Sequence, residues 1–254
     1  NFYLYVLSIF SQIKMNNLFS DNMILQRNSK VNIWGKSNPN QIVTVYSSWN
    51  NKSEKTKSNS NGDWILKIQT DSSVGPYELS ISTSDDTKII KNILFGEVWF
   101  ASGQSNMEMP LDGFFGEPVF GAQDIIGKSI NPQIRLITVE RNYSSTPLLN
   151  FDGKWEESNP ESSRYFSAVA YSFAKYIHES LEVPVGIISS AWGGTPAEAW
   201  AEKSFLDDEF EPGIIINNSE EKFEEYNPGY LFNAMLNPLI PVSYTHLTLP
   251  TSTH

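Results

Sequence analysis

Cysteine is absent from the 254 residues of this chain, and basic residues are outnumbered by acidic ones. Without cysteine there can be no disulfide, no cysteine-ligated zinc and no thiol nucleophile. The 18 Lys and Arg stand against 29 Asp and Glu, and the formal net charge is -11. Because nucleic acids and anionic membranes bind basic patches, we expect neither to be a partner and favour neutral or weakly charged ligands.

Long apolar runs are missing too, so no segment of the sequence is expected to span a bilayer. Residues 2–11 form a short apolar run of about the length found in signal peptides. The chain begins with Asn1 rather than Met. We therefore expect residues 1–13 to be the remnant of the export signal of a secreted or periplasmic bacterial protein. The alternative is a buried first strand.

Residues 14–92 show the pattern of an all-β domain. Short runs of alternating apolar and polar residues, separated by turns rich in Asn, Gly and Pro, recur at 31–34, 42–46, 64–68 and 77–81. Strands at this spacing predict a small β-sandwich. The polar stretch 50–61 is expected to be a solvated hairpin or loop. The seven tryptophans are compatible with sugar stacking as well as with ordinary core packing.

From residue 93 the pattern changes to alternating strands and helices. Apolar runs predict buried strands at 93–101, 134–139 and 185–191. Apolar residues repeat every four positions from Val169 to Leu181 and predict a helix over 167–181. Another helix is predicted over 231–240. Residues 93–241 should therefore form an α/β domain, with helices on the faces of a parallel sheet.

Two segments towards the carboxyl terminus carry weaker signals. Residues 205–228 are rich in Asp and Glu and are expected to form a solvated helix and loop. A divalent-cation site there has no ligand spacing to support it, so no metal is predicted. Residues 242–254 contain no Asp, Glu, Lys or Arg. We do not expect them to form the next strand of the sheet, and they resemble a translated sequencing-adapter artefact, so we interpret them as a non-native tail.

Ser105 lies where a catalytic nucleophile is expected. It follows the predicted strand 93–101 and a tight turn at Gly103, which holds it at the carboxyl edge of the sheet. Open α/β sheets bind ligands at that edge. The alternative is that this turn is no more than a short connection between a strand and a helix.

Gly193 and Gly194 follow the third predicted strand and precede Thr195, Pro196 and Glu198. This order predicts a helix start, with Thr195 as N-cap, Pro196 in the first helical position and Glu198 completing a capping box. Backbone N–H groups at such a helix start point outward and favour anions. Here too, the alternative is a simple connection.

Together the two turns have the parts for hydrolysis of an ester. The Ser105 hydroxyl can act as nucleophile, and the amides of Ser105 and of Gly193 or Gly194 can stabilise the oxyanion. Two such turns, each after a strand of one sheet, are more specific than either turn alone.

The segment Gly103-Gln104-Ser105-Asn106-Met107-Glu108-Met109-Pro110 resembles the first block of the sialate O-acetylesterase family. The chain has other segments similar to the family, and they occur in family order. They lie before this block, at 18–27 (LFSDNMILQR) and 96–99 (GEVW), and after it, at 166–171 (FSAVAY) and 192–200 (WGGTPAEAW). The resemblance implies an SGNH/GDSL-type, flavodoxin-like hydrolase domain preceded by the β domain. It implies Ser105 as nucleophile and an oxyanion donor from the Gly193–Gly194 block. It also implies an O-acetylated sialic acid or plant polysaccharide such as xylan as substrate, no metal or organic cofactor, and export from the cell.

The chain departs from the family at its carboxyl terminus. Family members continue beyond residue 241 into segments that carry the catalytic Asp and His, and these segments do not occur here. His178 lies in a predicted helix and is expected to be a surface residue, whereas His246 and His254 lie in the tail. We therefore predict a fragment with little or no turnover, from a gene for a carbohydrate O-acetylesterase. The alternative is a non-catalytic carbohydrate-binding protein that uses the β domain and its tryptophans.

Overall fold

The computed structural model describes residues 12–209, 223–241 and 245–248. The strands, numbered in chain order, are β1 Lys14–Met15, β2 Ile24–Gln26, β3 Lys30–Lys36, β4 Ile42–Ser47, β5 Lys52–Lys57, β6 Asp63–Gln69, β7 Tyr77–Ser82, β8 Thr87–Gly103, β9 Asn131–Thr138, β10 Glu156–Ser158, β11 Val185–Ala191 and β12 Thr245–Thr248. The α-helices are α1 Ser105–Glu108, α2 Ala122–Gly127, α3 Pro160–Arg164, α4 Ala168–Leu181 and α5 Lys203–Glu209. Short 3₁₀ turns lie at Ala197–Trp200, Glu224–Tyr226 and Asn237–Leu239, and a π turn lies at Phe232–Leu236.

Most strands belong to one mixed sheet with the order β10-β9-β11-β8-β7-β4-β5, to which β2 and β12 add by pairing with β8. Strands β8, β11 and β9 run parallel, whereas β5, β4, β7 and the first part of β8 form antiparallel pairs. A separate three-stranded sheet has the order β1-β3-β6. The fold is therefore α/β, with a mixed sheet and helices.

Strand β8 belongs to both parts of the mixed sheet. Its 17 residues pair antiparallel with β7 over 87–93 and parallel with β11 over 97–103. The predicted domain boundary at 92/93 therefore falls inside one continuous strand. The division into domains 14–92 and 93–241 itself stays a prediction.

The predicted strands and the long helix of the α/β part are confirmed. All seven residues of β11 are buried, as expected for a parallel strand with neighbours on both sides. Helix α4 covers the sheet with Ala170, Tyr171 and Ala174, which are all buried. Its N-cap is Ser167, whose Oγ accepts a hydrogen bond from the Ala170 N–H at 3.2 Å. In the β part, the polar stretch 50–61 contains β5, the exposed second strand of a hairpin with β4.

Of two sequence-based expectations near the carboxyl terminus, the helix over 231–240 is found in an irregular form, whereas the expectation that the tail adds no strand to the sheet was wrong. Residues 231–240 do not form an ordinary α-helix, because the π turn passes into a 3₁₀ turn where Pro238 has no N–H to continue an α-helical ladder. Residues 245–248 form β12, which pairs parallel with residues 99–102 of β8. A ladder uses backbone groups, so it forms without the alternating pattern that the sequence lacks.

Several predicted features fall wholly or largely outside the described residues. These are the export signal at 1–13, most of the acidic stretch 205–228 and most of the tail 242–254. None of the helices in the described ranges is long and apolar enough to cross a membrane.

Candidate active site

Ser105 sits at the carboxyl edge of the parallel strands, as predicted. Strand β8 ends at Gly103, and α1 begins at Ser105 itself. Residues 103–108, called here the serine turn, are anchored by Met107, which is fully buried in the cluster beneath α4. The Ser105 side chain stays exposed. The turn therefore presents the hydroxyl to solvent from a fixed base.

The second predicted loop lies directly beside Ser105. Strands β8 and β11 are parallel neighbours in register, with Gly103 opposite Ala191, so both chains leave the same edge of the sheet. Residues 192–196, called here the glycine turn, approach so closely that a Cβ on Gly193 would lie 3.0 Å from Ser105 Cβ. The structure thus brings Ser105 and Gly193 together and leaves little room for a side chain at position 193.

The predicted helix start at Thr195 was wrong. The segment that follows is a four-residue 3₁₀ turn preceded by Pro196 in an extended conformation, and no side chain caps it. Thr195 is instead buried, with its Oγ1 donating to the Trp192 carbonyl at 2.7 Å and accepting from Trp200 Nε1 at 2.8 Å. Because no long helix begins here, a helix dipole does not contribute to this site.

The Glu108 carboxylate accepts a hydrogen bond from one of the predicted oxyanion donors. The Gly193 N–H donates to Glu108 Oε2 at 2.8 Å. By contrast, no acceptor within the described part of the chain is bonded to the amide of Ser105 or Gly194. The free donors at this edge are therefore the amides of Ser105 and Gly194, and Gly193 could serve only if the Glu108 carboxylate left it.

Glu108 and Arg141 are site residues that sequence reasoning missed. Arg141 Nε donates to Glu108 Oε1 at 2.7 Å, and Nη2 contacts the same oxygen. The Arg141 guanidinium lies over the Trp192 ring, 5.3 Å from its centre. A signal existed for Glu108, three residues after Ser105 on a helix. Arg141 lies in a loop after β9 and carried no signal.

The histidines do not supply Ser105 with a base in the described structure. His178 Nδ1 lies 2.7 Å from the Val183 carbonyl, at the end of α4 that leads into β11. That is the opposite edge of the sheet from Ser105, about 20 Å away along a seven-residue strand. This placement agrees with the expectation that His178 is not the base. His246 lies in β12, a strand of which only the backbone is described, and His254 is outside the described residues.

Elsewhere, a cavity of about 590 Å³ lies against β1, β3, β5 and β6, and Ser105 is not among its lining residues. Its walls include Trp34, Trp64 and Lys14. Asp63 also lines it and forms an ion pair with Lys36 at 2.8 Å. The hydrogen bond from Lys36 lowers the pKa of the Asp63 carboxyl. Within the described residues, no group of three His, Asp or Glu side chains could hold a metal ion.

The known proteins to which the chain is similar are esterases, although no protein-family model matches the chain. The rat sialate O-acetylesterase is 29% identical over 203 residues, which are 72% of this chain and 36% of that protein. The human sialate O-acetylesterase is 27% identical over 239 residues, 87% of this chain and 45% of that protein. A crystal structure of a carbohydrate acetylesterase from Xanthomonas citri matches with a TM-score of 0.79 and 29% identity, covering 91% of this chain and 49% of that one.

The chain thus spans less than half the length of the curated relatives that it matches. Over that span, sequence relatives from mammals and a solved bacterial structure agree with each other. Over its described span, the chain is similar to sialate O-acetylesterases and to a carbohydrate acetylesterase.

Proposed function

We propose that this chain carries the nucleophile and oxyanion donors of a carbohydrate O-acetylesterase. The single observation that carries the proposal is the close approach of the two turns, 3.0 Å from a Gly193 Cβ position to Ser105 Cβ. In that arrangement the exposed Ser105 side chain lies beside the glycine turn, which supports a shared site for the hydroxyl and the free amides. A preorganised donor of this kind is typically worth about 3–4 kcal/mol of transition-state stabilisation.

In this mechanism, Ser105 Oγ attacks the carbonyl carbon of an acetyl ester while a base accepts the hydroxyl proton. The amides of Ser105 and Gly194 stabilise the tetrahedral oxyanion. The bond to the sugar oxygen then breaks, and the base returns the proton to that oxygen. Water attacks the acetyl-serine, which releases acetate and restores the hydroxyl. The base is assigned to the Asp- and His-bearing segment of the family, because no described side chain bonds the Ser105 hydroxyl.

The substrate class follows from charge and from the relatives. An acetylated plant polysaccharide such as xylan is largely neutral, which suits a chain with a net charge of -11, whereas sialic acid carries a carboxylate and is supported by the relatives alone. Sialate O-acetylesterases and a carbohydrate acetylesterase are the proteins to which the chain is similar. We further propose that residues 93–241 form an SGNH-type, flavodoxin-like domain, that residues 14–92 form a β domain before it, and that the protein is exported.

The test is acetate release from O-acetylated sialic acid and from acetylxylan. It compares this chain with the chain extended by the carboxyl-terminal segment of a family member. We expect little turnover from the former and clear turnover from the latter, reduced ~10⁴-fold or more by Ser105→Ala. Ser172→Ala is the control, since Ser172 is exposed on α4 and bonds its own helix. Unchanged hydrolysis in Ser105→Ala would exclude Ser105 as the nucleophile.

The cavity against β1, β3, β5 and β6 supports the alternative of a non-catalytic carbohydrate-binding protein. Trp34 could offer a sugar an aromatic wall there. Titration of the chain with xylan oligosaccharides, followed by tryptophan fluorescence, separates the two functions. Binding that depends on Trp34, with no Ser105-dependent acetate release from the extended chain, would favour the alternative.

A further inference from the structure

Glu108 connects three parts of the sheet edge. It belongs to α1, it accepts the Gly193 N–H that follows β11, and it pairs with Arg141, which follows β9. Its side chain is 16% exposed, whereas that of Arg141 is 54% exposed. Both carboxylate oxygens therefore have partners in a largely desolvated position, where charge-assisted hydrogen bonds are strong.

We infer that Glu108 is a positioning residue, which holds the glycine turn against Ser105 by binding the Gly193 amide. This inference rests on the proposed function for its catalytic meaning, although the contact itself can be tested without turnover. A consequence is that Gly194, and not Gly193, is the donor that the glycine turn offers to an oxyanion.

The glycine turn needs such a tether because its backbone is permissive. Gly194 has a φ of +78°, and two successive glycines lose more conformational freedom on ordering than any other pair. The parallel ladder with β8 ends at Ala191. Beyond it, the serine turn offers the Gly103 carbonyl to the Trp192 N–H, the Gln104 side chain to the Thr195 carbonyl, and Glu108 to the Gly193 N–H. Glu108 thus fixes the middle of the turn.

Arg141 makes a carboxylate acceptable so close to a developing oxyanion. A lone negative charge at this place would oppose the charge of the tetrahedral intermediate. The ion pair is formally neutral, and the stacking of Arg141 over Trp192 ties its cation to the glycine turn as well. The carboxylate can therefore order the turn without repelling the transition state.

Amide hydrogen exchange of the full chain, measured by NMR on deuterated, ¹⁵N-labelled protein, tests the contact. In Glu108→Ala we expect exchange of the Gly193 amide to rise ~10- to 100-fold, the loss expected for a hydrogen bond to a charged group. The amide of Ile187, in the middle of β11, should keep its rate. Glu108→Gln retains an acceptor oxygen and a similar shape, so it should show a smaller rise.

The matched control is Glu179→Ala, which removes a carboxylate from the exposed face of α4, where it pairs with Lys175. It should leave the Gly193 amide unchanged. Gly193 exchange that is the same in wild type and Glu108→Ala would overturn the inference, whatever the activity of the protein. If Glu108→Ala unfolds the chain, Glu108→Leu replaces it, because Leu fills similar space but has no acceptor, and a wild-type exchange rate for the Gly193 amide in Glu108→Leu would overturn the inference equally.

A kinetic measurement separates this inference from the proposed function. In the extended chain, Glu108→Ala should lower kcat for acetyl ester hydrolysis while KM changes little, and Glu108→Gln should recover part of the loss. No Ser105-dependent hydrolysis in any form would count against the proposed function alone. Unchanged kcat in Glu108→Ala, in a chain whose activity depends on Ser105, would overturn the positioning role.

Discussion

The serine turn and the glycine turn follow neighbouring parallel strands and both contain glycine, but they are held in different ways. The serine turn folds locally into a short helix with Met107 in the core. The glycine turn forms no such helix, and its order comes from Thr195 inside it and from Gln104 and Glu108 in the serine turn. One turn is thus anchored by apolar burial, and the other depends on its neighbour for hydrogen bonds.

The largest effect is expected where the apolar anchor is removed. Met107→Ala should lower the free energy of unfolding by about 3 kcal/mol, since it leaves a cavity at a fully buried site. Chemical denaturation measures the change. Met109→Ala, at a partly exposed neighbour, is the control and should cost less. Equal costs for both would show that Met107 is not the anchor.

A methyl group at position 193 should break the contact between the turns. In Gly193→Ala, the new Cβ would lie 2.9 Å from Glu108 Oε2 and 3.0 Å from Ser105 Cβ. Because a displacement of about 1 Å at a catalytic site can cost ~100-fold, kcat/KM of the extended chain should fall by about that factor. Gly127→Ala is the control, as nothing lies near its Cβ position. Full activity in Gly193→Ala would contradict the close approach.

Thr195 tests the internal order of the glycine turn. Thr195→Val keeps the shape but removes the hydroxyl that bonds the Trp192 carbonyl and Trp200 Nε1. We expect a loss of about 2 kcal/mol in stability, because two half-buried partners each lose a hydrogen bond to a buried hydroxyl. Thermal unfolding followed by calorimetry measures it. A change below about 0.5 kcal/mol would show that those groups find other partners.

The smallest effect concerns an ion pair outside both turns, Lys36–Asp63, whose side chains are 43% and 40% exposed. Lys36 lowers the pKa of Asp63 in the folded protein, so the pair stabilises at pH above the unfolded pKa, about 4. That stability is lost as the pH falls through the folded pKa. Exposure and salt limit it to roughly 0.5 kcal/mol. The difference between wild type and Asp63→Asn should therefore vanish in acid, and a difference that grows there would contradict this sign.

Short sequence patterns predicted the features that depend on residues close together in the chain. The period of α4, the buried run of β11 and the serine after β8 were visible because burial and helical spacing leave marks within a few residues. The contact between Gly193 and Glu108 joins residues 85 positions apart and leaves no such mark. Pattern also misled at Thr195, whereas a true capping box lies at Asn159, whose side chain bonds the amides of Glu161 and Ser162. A cap is decided by backbone geometry as well as by residue type.

Strand β8 has a mechanical consequence. A single uninterrupted ribbon of 17 residues carries hydrogen bonds to β7 at its start, to β2 in its middle and to β11 at its end. Cleaving the chain between residues 92 and 93 would divide this strand and separate the part that pairs with β7 from the part that pairs with β11. The region that bears the serine and the region that bears the hairpins should therefore melt together, in one calorimetric peak, as a single cooperative body.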